Sequence, residues 1–270
     1  MSAGYPKMEE LYHDQFVGHL AGKSRDVGSE TRNIVKLLGR AVDLREQHEI
    51  CVVGCGPRPE TIKALIELGH QVVGVEPISS YVSTANAFLA TVDTVVEGYA
   101  EKLPFSDDSF DVLFFESVLE HVDSPPQCLN ELYRVLRPGG ILYLTTTNRY
   151  RFSISGDNGE YRTPFYNWLP RIIQECYVHQ HLHYRPRLAN YSVRPAVHWF
   201  CYSDLCRLGR DARFSIFYSL FDLMRPEDNE GNSLTSKIRQ LVVNSIHRWP
   251  WLRALALLQR GEAIIMLKRP

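Results

Sequence analysis

Val53-Gly54-Cys55-Gly56 follows a short apolar run and precedes a stretch with helical spacing. Two glycines one residue apart let a backbone pass close under a ligand, and the first turn of a following helix offers N–H groups without helical partners. Glu76 closes the next apolar run, 20 residues beyond Gly56. A carboxylate there accepts hydrogen bonds from the two hydroxyls of a ribose. The chemistry on offer is the holding of a nucleoside-bearing group. No fixed catalytic dyad accompanies these residues. A dinucleotide fingerprint wants a third glycine where the helix packs; Arg58-Pro59 stands there instead, which weakens a nicotinamide reading.

The elements that must position these residues follow from hydropathy. Residues 8–47 read as two polar helices, the second with Ile34, Leu37, Leu38 and Ala41 at helical spacing. Buried strands are expected at 49–56, 71–77, 93–98, 110–117 and 141–147, and helices at 59–70, 78–90 and 126–140, the last closed by Pro138-Gly139-Gly140. Strands alternating with helices imply an α/β fold, a doubly wound and mostly parallel sheet that binds ligands beyond the carboxyl ends of its strands. Residues 148–201, rich in Tyr, Trp, Arg, His and Pro, break the rhythm and are too long for a simple connection; a helix is expected at 167–177. A helix at 202–212 capped by Ser203 or Asp204, a strand at 213–224, an amphipathic helical stretch at 233–259 and a strand at 261–269 complete a seven-stranded sheet. The chain divides into N-terminal helices (1–48), an alternating strand–helix core (49–147), an inserted stretch (148–201) and a C-terminal part of the same sheet (202–270).

Composition sets the outer limits. The chain has 270 residues, 44% hydrophobic and 23% charged, which is ordinary for a globular protein with a sizeable core. No apolar run reaches the roughly 18 residues of a membrane span, and the polar, acidic start is unlike a secretory leader. The six cysteines form no Cys-x-x-Cys pair, so reduced thiols, a cytoplasmic location and no metal site are expected. Charge is uneven: residues 1–147 carry 12 Lys+Arg and 21 Asp+Glu, residues 148–270 carry 18 and 10. The second half either grips an anion or pairs with the acidic first half.

Further motifs lie in order: Glu97-Gly98-Tyr99-Ala100-Glu101-Lys102-Leu103-Pro104-Phe105, then Asp107-Asp108-Ser109-Phe110-Asp111, then Phe115-Glu116-Ser117-Val118-Leu119-Glu120-His121-Val122, and Leu132-Tyr133-Arg134-Val135-Leu136-Arg137-Pro138-Gly139-Gly140 leading into the fifth strand. Over about residues 49–147 this series resembles the class I S-adenosylmethionine-dependent methyltransferases, in particular the type 11 subgroup. The resemblance implies a Rossmann-like fold with an inserted cap after the fifth strand, and S-adenosylmethionine as cofactor. It implies that Gly54, Cys55 and Gly56 pass beneath the methionine part, that Glu76 with Pro77 holds the ribose, that Tyr99-Ala100-Glu101 lies against the adenine, and that Glu116 and Ser117 lie near the methionine end. Tyr99 departs from the Asp that the family often carries there.

Methyl transfer is an in-line displacement in which the protein aligns the acceptor and excludes water, with a base needed only where the acceptor must lose a proton. Asn148, Arg149, Tyr166, Trp168 and Trp199 are the acceptor-side candidates, and His198 the candidate base. His179, His181 and His183 alternate along one stretch, where packing or a surface role is favoured over a metal site. The acceptor expected is a small molecule or a glycan or lipid precursor, methylated on O or N. An RNA or protein methyltransferase is the rival reading; the near-neutral chain has no basic module and lacks the Asn/Asp-Pro-Pro-Tyr motif after the fourth strand. A non-catalytic member of the fold is the third reading. Oligomeric state is left open.

Overall fold

The structure, a computed structural model, describes residues 26–42, 48–151, 166–177, 196–229, 234–249, 251–252 and 261–269. Its elements in chain order are α1 (Val27–Leu38), β1 (Glu49–Val53), α2 (Glu60–Glu67), β2 (Gln71–Glu76), α3 (Ser79–Leu89), β3 (Val95–Glu97), β4 (Phe110–Glu116), α4 (Pro125–Val135), β5 (Leu136–Thr146), a 3-10 turn (Tyr166–Trp168), α5 (Arg171–Tyr177), α6 (Tyr202–Asp211), β6 (Ile216–Ser219), α7 (Leu220–Leu223), a 3-10 turn (Pro226–Asn229), α8 (Leu234–Arg248) and β7 (Glu262–Leu267).

One sheet runs in the order β3-β2-β1-β4-β5-β7-β6. β1 pairs in parallel with both β2 and β4, so strand order reverses between them. The crevice beyond their carboxyl ends is where a doubly wound sheet takes a ligand. β7 alone runs antiparallel, between β5 and β6. The side-chain period of 2 sorts the strands onto two cores. Cys51, Val53, Leu113, Phe115, Leu142 and Leu144 pack with Leu129 and Leu132 of α4 and Leu205 of α6. Ile50, Val52, Val112, Phe114, Ile141 and Tyr143 pack with Leu37 and Leu38 of α1 and Ile62 and Leu65 of α2. This is the doubly wound sheet that the alternation predicts.

Several boundaries differ for physical reasons. Leu136–Gly140 is not the end of a helix but the start of β5. Gly139 takes φ +78°, which lets its N–H reach the Lys268 carbonyl while the Lys268 N–H reaches the Gly140 carbonyl, both at 3.1 Å. The helix expected at 167–177 is split by Pro170, which cannot donate to a helix turn. α6 is capped neither by Ser203 nor by Asp204: Cys201 is its N-cap, and the Asp204 carboxylate accepts the Cys201 N–H at 3.1 Å. The strand expected at 213–224 lasts only through Ser219, where the Asp222 carboxylate takes the Ser219 N–H and turns the chain into α7. The first expected helix and the His- and Arg-rich middle of the insertion (178–195) lie outside the described residues.

Ion pairs within each half are prominent: Arg134 with Asp107 and Glu131, Arg137 with Asp111, and Arg207 with Asp204. Of pairs joining the halves, Lys268–Asp108 matches the expected sense, whereas Arg40–Asp228 runs the other way, with both contacts at 2.6 Å. The six cysteines are free. No described helix is long and apolar enough to cross a membrane.

Candidate cofactor and acceptor site

The loop after β1 is fixed from three sides. The Gly54 N–H donates to the Val75 carbonyl at 2.7 Å. Gly54 takes φ +74°, and a Cβ there would stand 2.3 Å from Val118 Cγ2. Glycine is required at this point because a residue 64 positions later, in the loop after β4, fills the space beside it. Gly56 also has positive φ, +68°, but a Cβ on it would meet nothing within 4 Å. Its face is open, as a backbone that lies along a ligand must be. The sequence marks both glycines alike; the structure gives one to packing and the other to the opening.

Glu76 is 5% exposed at the end of β2. Its Oε2 accepts the Gly56 N–H at 3.0 Å, and its Oε1 the Ile78 N–H at 3.4 Å. A carboxylate offers about four lone-pair positions, so holding the glycine turn leaves acceptor capacity for ribose hydroxyls. Burial and the neighbouring Glu76 charge push the Cys55 thiol far above its ordinary range, which makes it a packing group rather than a nucleophile. Pro77 is partly buried beside Glu76.

The remaining cofactor candidates approach from β3 and β4. Ala100 is buried, whereas Tyr99 is 46% exposed and forms a backbone bridge with Lys102. The Glu101 Oε1 accepts the Asp123 N–H at 2.9 Å, and its carbonyl accepts from Gln127 Nε2 at 3.1 Å. Glu101 therefore ties the loop after β3 to the loop after β4. Glu116 lies within 3.5 Å of the Thr61 hydroxyl in the first turn of α2, which brings the end of β4 to the glycine loop. Ser117 adopts φ +55° and donates its N–H to the Thr145 carbonyl at 2.9 Å. A non-glycine residue held in the left-handed region costs about 1–3 kcal/mol and is typical of functional turns.

A cavity of about 420 Å³ lies beside the same loop, lined by Ser124, Pro125, Arg149, His198, Trp199 and Arg207 among others. His198 Nε2 lies 3.0 Å from the Val122 carbonyl. A carbonyl only accepts, so Nε2 is the donor in this contact. Trp199 is 5% exposed, braced edge-to-face by Tyr166 at 5.2 Å. Arg149 donates to the Trp199 carbonyl at 3.0 Å and stands 3.8 Å from Asp204. Trp168 is exposed.

Two acceptor-side candidates are committed to structure. Tyr166 is fully buried, with its hydroxyl donating to the Gln174 carbonyl at 3.0 Å while Gln174 Nε2 returns a bond to the Tyr166 carbonyl at 2.9 Å. Asn148, 2% exposed, takes the Tyr150 N–H on Oδ1 at 2.9 Å and bridges to Phe200. Tyr166 packs on Trp199 and Asn148 pairs with Phe200, and neither lines the cavity.

Glu120 has no assigned role in the sequence reading. It is 1% exposed, accepts the Thr146 hydroxyl at 2.7 Å, and takes the Val197 and His198 N–H groups on its carbonyl at 2.9 and 3.3 Å. Burial pushes its carboxyl up to about 7. A lone Glu within the apolar Val118-Leu119-Glu120-His121-Val122 stretch was the available signal. Among the described residues, no group of three or more His, Cys, Asp or Glu is placed to hold a metal ion; His179, His181 and His183 lie outside them.

Comparison with known proteins bears on this geometry. Residues 51–144 match the family model described as a methyltransferase domain. A probable S-adenosylmethionine-dependent methyltransferase of Mycolicibacterium smegmatis is 31% identical over 109 residues, which are 40% of this chain and 42% of that protein. The matches span about a third to a half of the curated relatives' own length, between 32% and 53%. A solved methyltransferase of Methanosarcina mazei superimposes with a TM-score of 0.51 at 21% identity, covering 84% of this chain and 94% of its own. The protein bound to the Trm112 methyltransferase activator in a Haloferax volcanii complex gives 0.56 at 15% identity, covering 99% and 98%. These superpositions establish the fold. The family match is to a methyltransferase domain and falls on β1 to β5, the same stretch that carries the ordered motifs.

Proposed function

We propose that the chain transfers the methyl group of S-adenosylmethionine to an O or N atom of a small molecule or a glycan or lipid precursor. The observation that carries this reading is the buried Glu76 carboxylate holding the Gly56 N–H directly beside a backbone face with no atom above it. The cradle fits a ribose-bearing cofactor: Gly54 and Gly56 shape the floor, Glu76 receives the ribose hydroxyls, and Ala100 presents a small side chain at the end of β3. When bound, S-adenosylmethionine supplies a methyl group already activated on a positive sulfur.

The chain's own part is alignment, exclusion of water and, for a protic acceptor, removal of one proton. Trp199 and Phe200 give the neighbouring cavity apolar walls, and Arg149 gives it a cation. His198 lines the cavity with its Nε2 held by the Val122 carbonyl and is the candidate base. A cavity of about 420 Å³ suits a compact acceptor, since small-molecule sites run about 300–1,000 Å³.

Calorimetric titration with S-adenosylmethionine, S-adenosylhomocysteine and NAD tests the reading. Micromolar binding of the first two, no binding of NAD and roughly thirtyfold weaker binding of the first two in Glu76→Ala are expected. Absence of binding by both sulfur ligands overturns it. Acceptor screening by release of S-adenosylhomocysteine then decides between small molecules and macromolecules.

A further inference from the structure

α8 carries apolar residues on a buried face and on a neighbouring exposed one. Val243 and Ile246 are buried, and the helix packs against α7 and the 3-10 turn Pro226–Asn229. His247 Nε2 adds a hydrogen bond to the Phe221 carbonyl at 2.9 Å. The other side carries Ile238, Leu241, Val242, Ser245 and Trp249, at i, i+3, i+4, i+7 and i+11. That spacing is a single helical stripe. Ile238 is 50% exposed, Leu241 64%, Val242 44% and Trp249 49%, and Trp251 just beyond is 65% exposed. Single exposed apolar residues are ordinary; a contiguous stripe of them marks a contact surface.

Charge identifies what covers it. Residues 231–261 contain no Asp or Glu, but do contain Lys237, Arg239, Arg248, Arg253 and Arg260. At about 100° per residue, Lys237 and Arg248 flank the stripe on one side. The Arg248 guanidinium lies 5.6 Å from the centre of the Trp249 ring. A second copy meeting this face across a two-fold axis would bring like charges together, with no carboxylate from 231–261 to offset them. A lipid–water interface suits all three features: aliphatic side chains enter the acyl boundary, tryptophans sit at headgroup depth, and cations reach anionic headgroups.

We propose that α8 and the Trp249–Trp251 segment dock the chain in the plane of an anionic lipid surface. The contact stands apart from the cofactor site, so it holds or fails independently of the methyl-transfer reading.

Flotation of the full chain with phosphatidylcholine vesicles, with and without about a third phosphatidylglycerol, tests it. Binding to the anionic vesicles is expected to exceed that to neutral ones by about tenfold and to weaken at high salt. Leu241→Glu is expected to lower it by about tenfold or more, with unchanged melting temperature and S-adenosylmethionine affinity. Trp251→Ala, a second exposed position, is expected to lower it in the same direction. No binding to anionic vesicles overturns the proposal, as does equal binding by the wild-type chain and both variants. A lipid-free dimer that Leu241→Glu dissociates also overturns it, because a second copy then covers the stripe.

Discussion

The two sides of the crevice are built from different materials. On the cofactor side, the decisive contacts are main-chain: the Gly54 N–H on the Val75 carbonyl, the Gly56 N–H on Glu76, the Ser117 N–H on the Thr145 carbonyl. On the acceptor side a side chain takes part in each, with Tyr166 and Gln174 bonded to one another beside Trp199, Asn148 Oδ1 taking the Tyr150 N–H, and Glu120 held by Thr146. A backbone-built site tolerates change in its neighbours as long as the turn keeps its dihedrals. A side-chain-built site can be remade by exchanging a few residues, which suits a place where acceptor specificity is set.

If that contrast is right, the largest effect is at Gly54. Gly54→Ala combines positive-φ strain with a Cβ 2.3 Å from Val118, and about 4 kcal/mol of lost stability is expected in chemical denaturation. Gly56→Ala meets only open space, so about 1 kcal/mol is expected there together with weakened S-adenosylmethionine binding. Equal destabilisation by the two would erase the division of labour between the glycines.

Glu120 sharpens the acceptor side through pH. Its folded-state carboxyl titrates near 7, above the ordinary value of 4.5, because burial disfavours the ion. The folded chain therefore holds this proton more tightly than the unfolded chain. The carboxyl destabilises nothing below about pH 4.5, and its cost grows as pH rises through 7, reaching a few kcal/mol. Glu120→Gln should melt higher than the wild type at pH 8, with the gap closing toward pH 5. A gap that widens toward pH 5 would show that the carboxylate is stabilised as an ion.

Next in size, Glu76→Ala is expected to weaken S-adenosylmethionine by about 2 kcal/mol, roughly thirtyfold, by titration calorimetry. Smallest is Tyr166→Phe, which removes the hydroxyl held by the Gln174 carbonyl and should cost about 1 kcal/mol of stability. S-adenosylmethionine affinity should be unchanged, because this hydroxyl braces Trp199 on the other side.

Much of the cofactor side was legible because its signals are local. A glycine pair after an apolar run, and a carboxylate at the end of the next, fall within 23 residues. The alternation of β1 to β4 onto two cores follows from a period of 2 read within each strand. What stayed hidden depends on contacts distant in the chain. Val118 beside Gly54 joins loops after different strands, and Lys268 beside Gly140 turns an expected helix end into the start of β5. Cys201 as the N-cap of α6 went unread because its side chain is a rare cap; the real anchor is Asp204, three residues inside the helix. Asn148 and Tyr166 are residues of the types that hold ligands, and only their buried hydrogen bonds show them committed elsewhere.

The antiparallel β7 has a consequence for how the molecule is made. Among the described residues β6 pairs with Glu262–Leu267 alone, more than forty residues after it. β5 likewise has one side unpaired until then. During synthesis the ribosome therefore releases a five-stranded parallel sheet with an open edge, an amphipathic helix and a stray strand before the piece that joins them emerges. Pairing over so long a separation is slow, and an exposed edge invites intermolecular pairing meanwhile. Chaperone dependence of this chain is expected to be governed by the time between translation of residue 219 and residue 267.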